Sequence, residues 1–343
     1  MSVPKLRVKV LSRLTDREWL RYFPGPDPEW GDCRFLFEPT ERIYDWLVVY
    51  NDLPPQSEER FSLSEELLAC PSNNTLLVTY EPATVKIYGP AFTDQFGHVL
   101  TSQSESELPH RHRIYSQPAM RWYYGKEGPQ PRTWREMHDA SPEKSRALST
   151  VAASKQHKTR VHQRRDEFIR TLKSVFPELD IYGRGVRPIA DKAEAIDAYC
   201  HHLAIENHIA RHHWTEKLAD CFLGLALPFY YGCHNAADYF PEESFVPIDI
   251  YRIEDTVACI RKIIRNKEYA RRLPALREAR RRVLEQYNFF AVISAIIAER
   301  HQPGPAANNM LRSRRAVLRH SPAAAINHFV TKLRVRVRDW LRD

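Results

Sequence analysis

The sequence predicts a two-domain α/β protein followed by a basic amphipathic tail. Three observations carry that prediction. Short apolar runs of strand length alternate with helix-length segments from the N-terminus onward, the pattern of mostly parallel sheets. The chain has 343 residues, enough for two separate cores. Nine basic residues fall within 301–343 against two aspartates, so nearly all of the formal net charge of +8 belongs to the tail.

The remaining composition, 43% hydrophobic and 27% charged, is that of a soluble globular protein. Because the body is nearly neutral, no nucleic-acid-binding face is expected on it. No apolar run approaches the roughly 18 residues that a membrane span needs. Residues 1–11 (MSVPKLRVKVL) alternate charged and apolar and read as a first strand, not a signal peptide. The six cysteines are scattered without a CxxC, as expected for reduced thiols in a cytoplasmic protein.

The first domain is expected over residues 1–125. Leu6, Val8 and Val10 alternate with Lys5, Arg7 and Lys9 in its first strand. Trp46–Tyr50, residues 76–80 and His98–Thr101 supply three more, with helices between them, one at 62–69. Glu81 directly follows the third strand, and Pro82 turns the chain there. A carboxylate at a strand's C-terminal end suits a general base for an acceptor hydroxyl; the competing reading is a surface ion pair. The His, Arg and aromatic residues of 109–124 suit a sugar-binding wall, or else Trp122, Tyr123 and Tyr124 are core aromatics. Residues 126–148 read as a linker with a short helix.

The second domain is expected over 149–302. It opens with a strand at 151–154, a basic loop from Lys155, a helix at 165–176 and a strand at Leu179–Tyr182. Gly183-Arg184-Gly185-Val186-Arg187 then lets the backbone approach a ligand and sets an arginine at its phosphates. The alternative is a glycine turn with a solvated arginine. Leu203-Ala204-Ile205 is a buried strand, with Glu206-Asn207 at its end, where ligands collect in α/β sheets.

Thr215 caps a helix running to Leu225, and Pro228 opens the strand at 229–231. Lys217 falls in the first turn of that helix, where unpaired N–H groups already make the field positive. A phosphate would unite N–H groups, dipole and ammonium; otherwise Lys217 points into solvent or pairs with Glu216 or Asp220. Helices follow at 253–266 and 268–301, their arginine clusters read as solvated faces. Residues 303–343 form the tail. Within it Ile326, Phe329, Val330, Leu333, Val337, Trp340 and Leu341 recur at helical spacing among arginines. Such a helix over 326–343 suits an anionic membrane surface, or it crosses back onto the first domain.

Glu206-Asn207 followed, without a gap in spacing, by Thr215-Glu216-Lys217 resembles the donor-site signature of glycosyltransferase family 10, the α-1,3/1,4-fucosyltransferases. Leu227 to Gly232 (LPFYYG) is similar to the family's Pro-strand-Gly segment, and Asp238 to Val246 to its Pro-x-x-Ser-Phe run. Ordered matches across residues 180–250 are more specific than any one motif. The chain departs from the pattern at Ile205, His208 and His213-Trp214, where the family has Phe, Ser and Tyr-Val or Tyr-Ile.

The resemblance implies a GT-B-like architecture, two Rossmann-like domains facing a cleft, and inverting transfer of fucose from GDP-fucose to a hydroxyl of a glycan such as a bacterial surface polysaccharide or lipopolysaccharide. Tyr80-Glu81-Pro82 looks like the family's catalytic-base site. Arg184 or Arg187, together with Lys217, would hold the donor pyrophosphate. Glu216 or Glu206 would stabilise oxocarbenium character, and Asn207 would fix Glu206 or bond the donor. No metal or other cofactor is required. His201, His202, His208, His212, His213 and His234 crowd the region without a third ligand at motif spacing. The alternatives are another nucleotide-sugar donor on the same fold, or a non-catalytic basic module for membrane or RNA. A cytoplasmic protein, peripheral at the inner face of the membrane, is the expected setting.

Overall fold

The computed structural model describes residues 4–56, 59–128, 130–152 and 160–342, without the side chains of 160–162 and 336–342. The chain forms two compact units, Met1–Ala119 with Phe289–Asp343, and Met120–Asn288. The divisions therefore fall at 119/120 and 288/289, where the sequence suggested 125, 149 and 302. Residues 120–148 join the second unit and the tail joins the first.

The first unit is built on a seven-stranded sheet in the order Glu29–Trp30, Cys33–Leu36, Leu6–Leu11, Trp46–Tyr50, Thr75–Thr79, His98–Thr101, Arg113–Tyr115. All neighbours run parallel except the first pair. Trp46–Tyr50 and Thr75–Thr79 are buried along their whole length, which is why they read as unbroken apolar runs. From Leu6–Leu11 the chain passes to Cys33–Leu36 on one side, then returns to Trp46–Tyr50 on the other. The order of the strands reverses between Leu6–Leu11 and Trp46–Tyr50, the place where open α/β sheets bind ligands.

Two elements of this unit differ from expectation. Residues 62–69 contain no helix; Glu65–Leu67 is a strand paired antiparallel with Met310–Arg312 from the tail. The tail itself crosses back. Phe289 and Phe290, opening the Phe289–Arg300 helix, pack against Trp19, Tyr22, Phe23 and Phe35. Leu311, Val317 and Ala324 complete a core with Leu47, Leu77 and Phe92. On the last helix, Pro322–Arg342, Ile326, Phe329, Val330 and Leu333 remain exposed. Among the described residues no helix is long and apolar enough to cross a membrane.

The second unit has a five-stranded sheet, all parallel, ordered Leu179–Tyr182, Arg146–Val151, Tyr199–Ile205, Leu227–Tyr231, Val246–Pro247. Its reversal of order falls between Arg146–Val151 and Tyr199–Ile205. The strand expected at 151–154 ends at Val151; Ala153, Ser154 and the basic loop from Lys155 lie outside the described residues. The single helix expected at 268–301 is two, Glu268–Glu285 and Phe289–Arg300, separated where the chain changes unit. Trp122 and Tyr124 are core aromatics, 1% and 0% exposed.

Candidate functional site

Glu206 leaves the Tyr199–Ile205 strand at its carboxyl end and is 1% exposed. Its carboxylate is buried on condition that it is bonded. Thr215 meets that condition. Its N–H donates to Glu206 Oε1 at 2.8 Å, and its hydroxyl lies 2.9 Å from Oε1 and 2.7 Å from Oε2. The same hydroxyl accepts from the Lys217 N–H at 3.2 Å, capping the Glu216–Leu223 helix. One carboxylate thus fixes where the helix begins. Gly232 is required beside it, because an added Cβ would collide with Glu206 Cγ and Tyr230 Oη.

Lys217 is tied to both glutamates, with Nζ 3.0 Å from Glu216 Oε1 and 3.4 Å from Glu206 Oε2. Burial favours its neutral form, but Glu216 and Glu206 outweigh burial and raise its pKa. Burial pushes the Glu216 carboxyl upward, yet Lys217 and Lys192 pull it down to about 2. Glu206 goes the other way: burial raises its pKa, only partly countered by Lys217. Lys192 Nζ lies 2.8 Å from Asp220 Oδ2 and 3.7 Å from Glu216 Oε1. Asp220 Oδ1 accepts from the Tyr123 and Tyr124 N–H groups at 3.0 and 3.1 Å.

Arg165, on the Arg160–Val175 helix, spans the reversal point of the sheet. Its Nη2 donates to the Val151 carbonyl at 2.7 Å and its Nη1 to Asn207 Oδ1 at 2.9 Å. Its Nε is buried without a hydrogen-bond partner. Burial lowers its pKa despite Asp166, Glu206 and Glu216, so its charge is incompletely compensated. Sequence reasoning passed over Arg165 and Lys192. Their partners lie 42 and 28 residues away, so no local pattern marks them.

Arg184 and Arg187 sit in the turn after Leu179–Tyr182, at the same carboxyl edge of this sheet. Gly183 and Gly185 take φ of +124° and +89°, and a Cβ at Gly183 would strike the Ala152 backbone. Arg184 is exposed. Arg187 lies over the Tyr182 ring, 4.7 Å from its centroid. Asn207 accepts from Arg165, so its partner here is the arginine.

Glu81 belongs to the first unit, one residue beyond the Thr75–Thr79 strand and Tyr80. Its carbonyl accepts from Gln103 Nε2 at 2.8 Å. Around it Asn51 Nδ2 donates to Tyr80 Oη at 3.1 Å, while Lys86 Nζ and Tyr88 Oη donate to Asn51 Oδ1 at 2.9 and 2.7 Å. Burial lowers the Lys86 pKa to about 8, with Asp52 opposing. Among the described residues, no group of three or more His, Cys, Asp or Glu is placed to hold a metal ion.

Comparison with known proteins adds the following. No curated protein matches the sequence. Among solved structures, an α1,3-fucosyltransferase is similar at 17% identity, covering 79% of this chain and 82% of that one, with a TM-score of 0.46. An α1,3-fucosyltransferase with GDP-fucose is similar at 16% identity, covering 97% of this chain and 91% of that one, with a TM-score of 0.39. The TarM structure is similar at 9% identity, 75% and 50% coverage and a TM-score of 0.44. The model of the glycosyltransferase family 10 (fucosyltransferase) C-terminal region matches residues 142–285, which take in the Glu206–Lys217 cluster, Arg165, Arg184 and Arg187.

Proposed function

We propose that the chain is an inverting α-1,3-fucosyltransferase that moves fucose from GDP-fucose to a hydroxyl of a glycan acceptor, in the manner of a GT-B enzyme. The observation that carries this reading is the start of the Glu216–Leu223 helix. It is anchored on Glu206, carries Lys217 in its first turn, and lies beside an arginine that bridges the sheet's reversal point. A pyrophosphate suits this place: it meets helix N–H groups, Lys217 and the unsatisfied Arg165 Nε. Arg184 and Arg187, on the same sheet edge, add cations for the donor's outer phosphate or nucleoside.

In the reaction the anomeric carbon–phosphate oxygen bond breaks, and GDP leaves with its electron pair. The acceptor oxygen forms the new bond from the opposite face, and its proton passes to Glu81. The pyrophosphate competes with Glu216 for Lys217, which turns the Glu216 carboxylate toward the positive charge developing on the sugar. Glu206 acts through Thr215, as a positioning residue. Asn207 holds Arg165 in the same way. The donor needs no metal when Lys217, Arg165, Arg184 and Arg187 surround the leaving group. The acceptor class is a bacterial surface polysaccharide or lipopolysaccharide. The exposed stripe Ile326, Phe329, Val330 and Leu333, with its neighbouring basic residues, rests on the anionic membrane face where such acceptors are assembled.

A thermal-shift panel of GDP-fucose, GDP-mannose, GDP, UDP-galactose and UDP-N-acetylglucosamine tests this. GDP and GDP-fucose should raise the melting temperature, since a ligand bound only by the folded state stabilises it. Stabilisation by the UDP sugars alone would replace the donor assignment with the second reading, the same fold serving another nucleotide sugar.

A further inference from the structure

A cavity of about 760 Å³ opens in the first unit, away from any residue given a role above. Ser12 and Arg13, on one wall, follow the Leu6–Leu11 strand; Leu53 to Gln56, on another, follow Trp46–Tyr50. Those two strands flank the reversal point of the seven-stranded sheet, so the cavity occupies the position where this topology collects ligands. Its volume falls in the range, about 300–1,000 Å³, that encloses a ligand the size of a disaccharide.

The lining also holds a built polar group. Glu66 is only 5% exposed. Lys9 Nζ, Arg42 Nη1 and Tyr44 Oη donate to its Oε1 at 2.7, 3.0 and 3.1 Å. All three converge on one oxygen, so among the described residues Oε2 accepts no hydrogen bond. A carboxylate oxygen left open at a cavity wall, on a side chain otherwise held in place, is a ready acceptor for a hydroxyl. Lys9 is fully buried and spends its other donors on the Pro39 and Glu41 carbonyls, which fixes the carboxylate in place.

Charge and shape select the ligand class. The lining sets Glu59, Glu65 and Glu66 against Arg13 and Arg42, with Lys9 behind Glu66, so the cavity has no surplus cation for a phosphate or sulfate. Pro39, Leu53, Pro54 and Pro55 present C–H surfaces of the kind that pack on the apolar face of a sugar ring. Trp46–Tyr50, which leads into the cavity wall, is paired with Thr75–Thr79, which leads to Glu81. The cavity and the proposed base therefore lie on one sheet edge, about 4.8 Å per strand apart in that direction.

We propose that this cavity binds a neutral, non-reacting sugar residue of the acceptor glycan, with Glu66 Oε2 accepting one of its hydroxyls and Pro54 and Pro55 packing on the ring. The ligand's place in catalysis rests on the transferase reading above; its binding chemistry does not. The test uses the full chain without donor and a panel of neutral oligosaccharides: lactose, N-acetyllactosamine, lacto-N-neotetraose and maltotetraose. Saturation-transfer NMR should detect binding of at least one. Glu66→Gln, Arg42→Ala and Gln56→Ala should each weaken it tenfold or more, and Lys217→Ala should leave it unchanged. Gln56 and Arg42 are exposed, so these two variants answer the question should Glu66→Gln fail to fold. In a second arm with GDP-fucose, the cavity variants should raise KM for the glycan that binds and leave KM for the donor alone. A chain that binds glycans but transfers no fucose would sink the transferase reading and keep the cavity. No binding by the unaltered chain, or binding that survives all three substitutions, overturns the proposal.

Discussion

Lys217 is a partly buried ammonium kept charged by two carboxylates, and that arrangement makes its removal informative. Lys217→Ala should lower the affinity for GDP by tenfold or more in calorimetric titration, since it removes a cation from a desolvated site. Arg165→Ala should do the same. Glu81→Gln should leave GDP affinity intact and reduce transfer by about 10²-fold or more, the usual contribution of a general base. A Glu81→Gln variant that transfers at the normal rate would move the base elsewhere. The Thr-Glu-Lys triplet was legible in the sequence because a cap and its first helical turn are local features. Arg165, Lys192 and Lys86 were not, because what gives each its place is a partner brought up by the fold.

At the scale of elements, Thr215 connects one strand end to one helix start. Thr215→Ala removes the cap, worth about 1 kcal/mol, and also strips Glu206 of its hydroxyl bond. The expected loss is about 2 kcal/mol in urea unfolding, and Thr215→Ser should recover most of it. The same region sets an acid limit. Burial lowers His202 and His213 to about 3 each. The unfolded chain takes up those protons near pH 6.5 and the folded chain does not, so stability is lost as pH falls from about 6.5 toward 3. Glu216, held near 2 by its lysines against burial, adds a loss between about pH 4.5 and 2. The raised Glu206 opposes these in part. The urea midpoint should therefore drop steeply from pH 7 to pH 4, and His213→Gln should shallow that slope. Central strands such as Trp46–Tyr50 were legible because burial on both faces leaves an apolar run. Glu65–Leu67 was not: its partner strand lies more than two hundred residues downstream, and three residues carry no period of their own.

Across the whole molecule, the tail divides into a part that the fold needs and a part that it does not. Deleting 303–343 would remove the Met310–Arg312 strand together with Leu311 and Val317, which are core residues, so loss of lipid binding after such a deletion would say nothing about the tail. The helical spacing in the sequence suits a membrane face or a return to the first domain; in the structure the return is made by 289–324, while the stripe Ile326, Phe329, Val330 and Leu333 stays exposed beyond it. Substituting that stripe isolates the membrane reading. Phe329→Ser with Leu333→Ser removes apolar area from the exposed face and touches no core residue, so the melting temperature should hold to within about 2 °C, as for a surface change. Flotation with phosphatidylglycerol vesicles at low salt should capture the unaltered chain and lose the double variant. Phosphatidylcholine vesicles should capture neither, because the basic residues contribute only against anionic lipid. Raising the salt should weaken capture without abolishing it, since screening acts on the charges and not on the buried apolar area. A double variant that floats as well as the unaltered chain would leave the exposed stripe without a membrane role, whatever the donor site does.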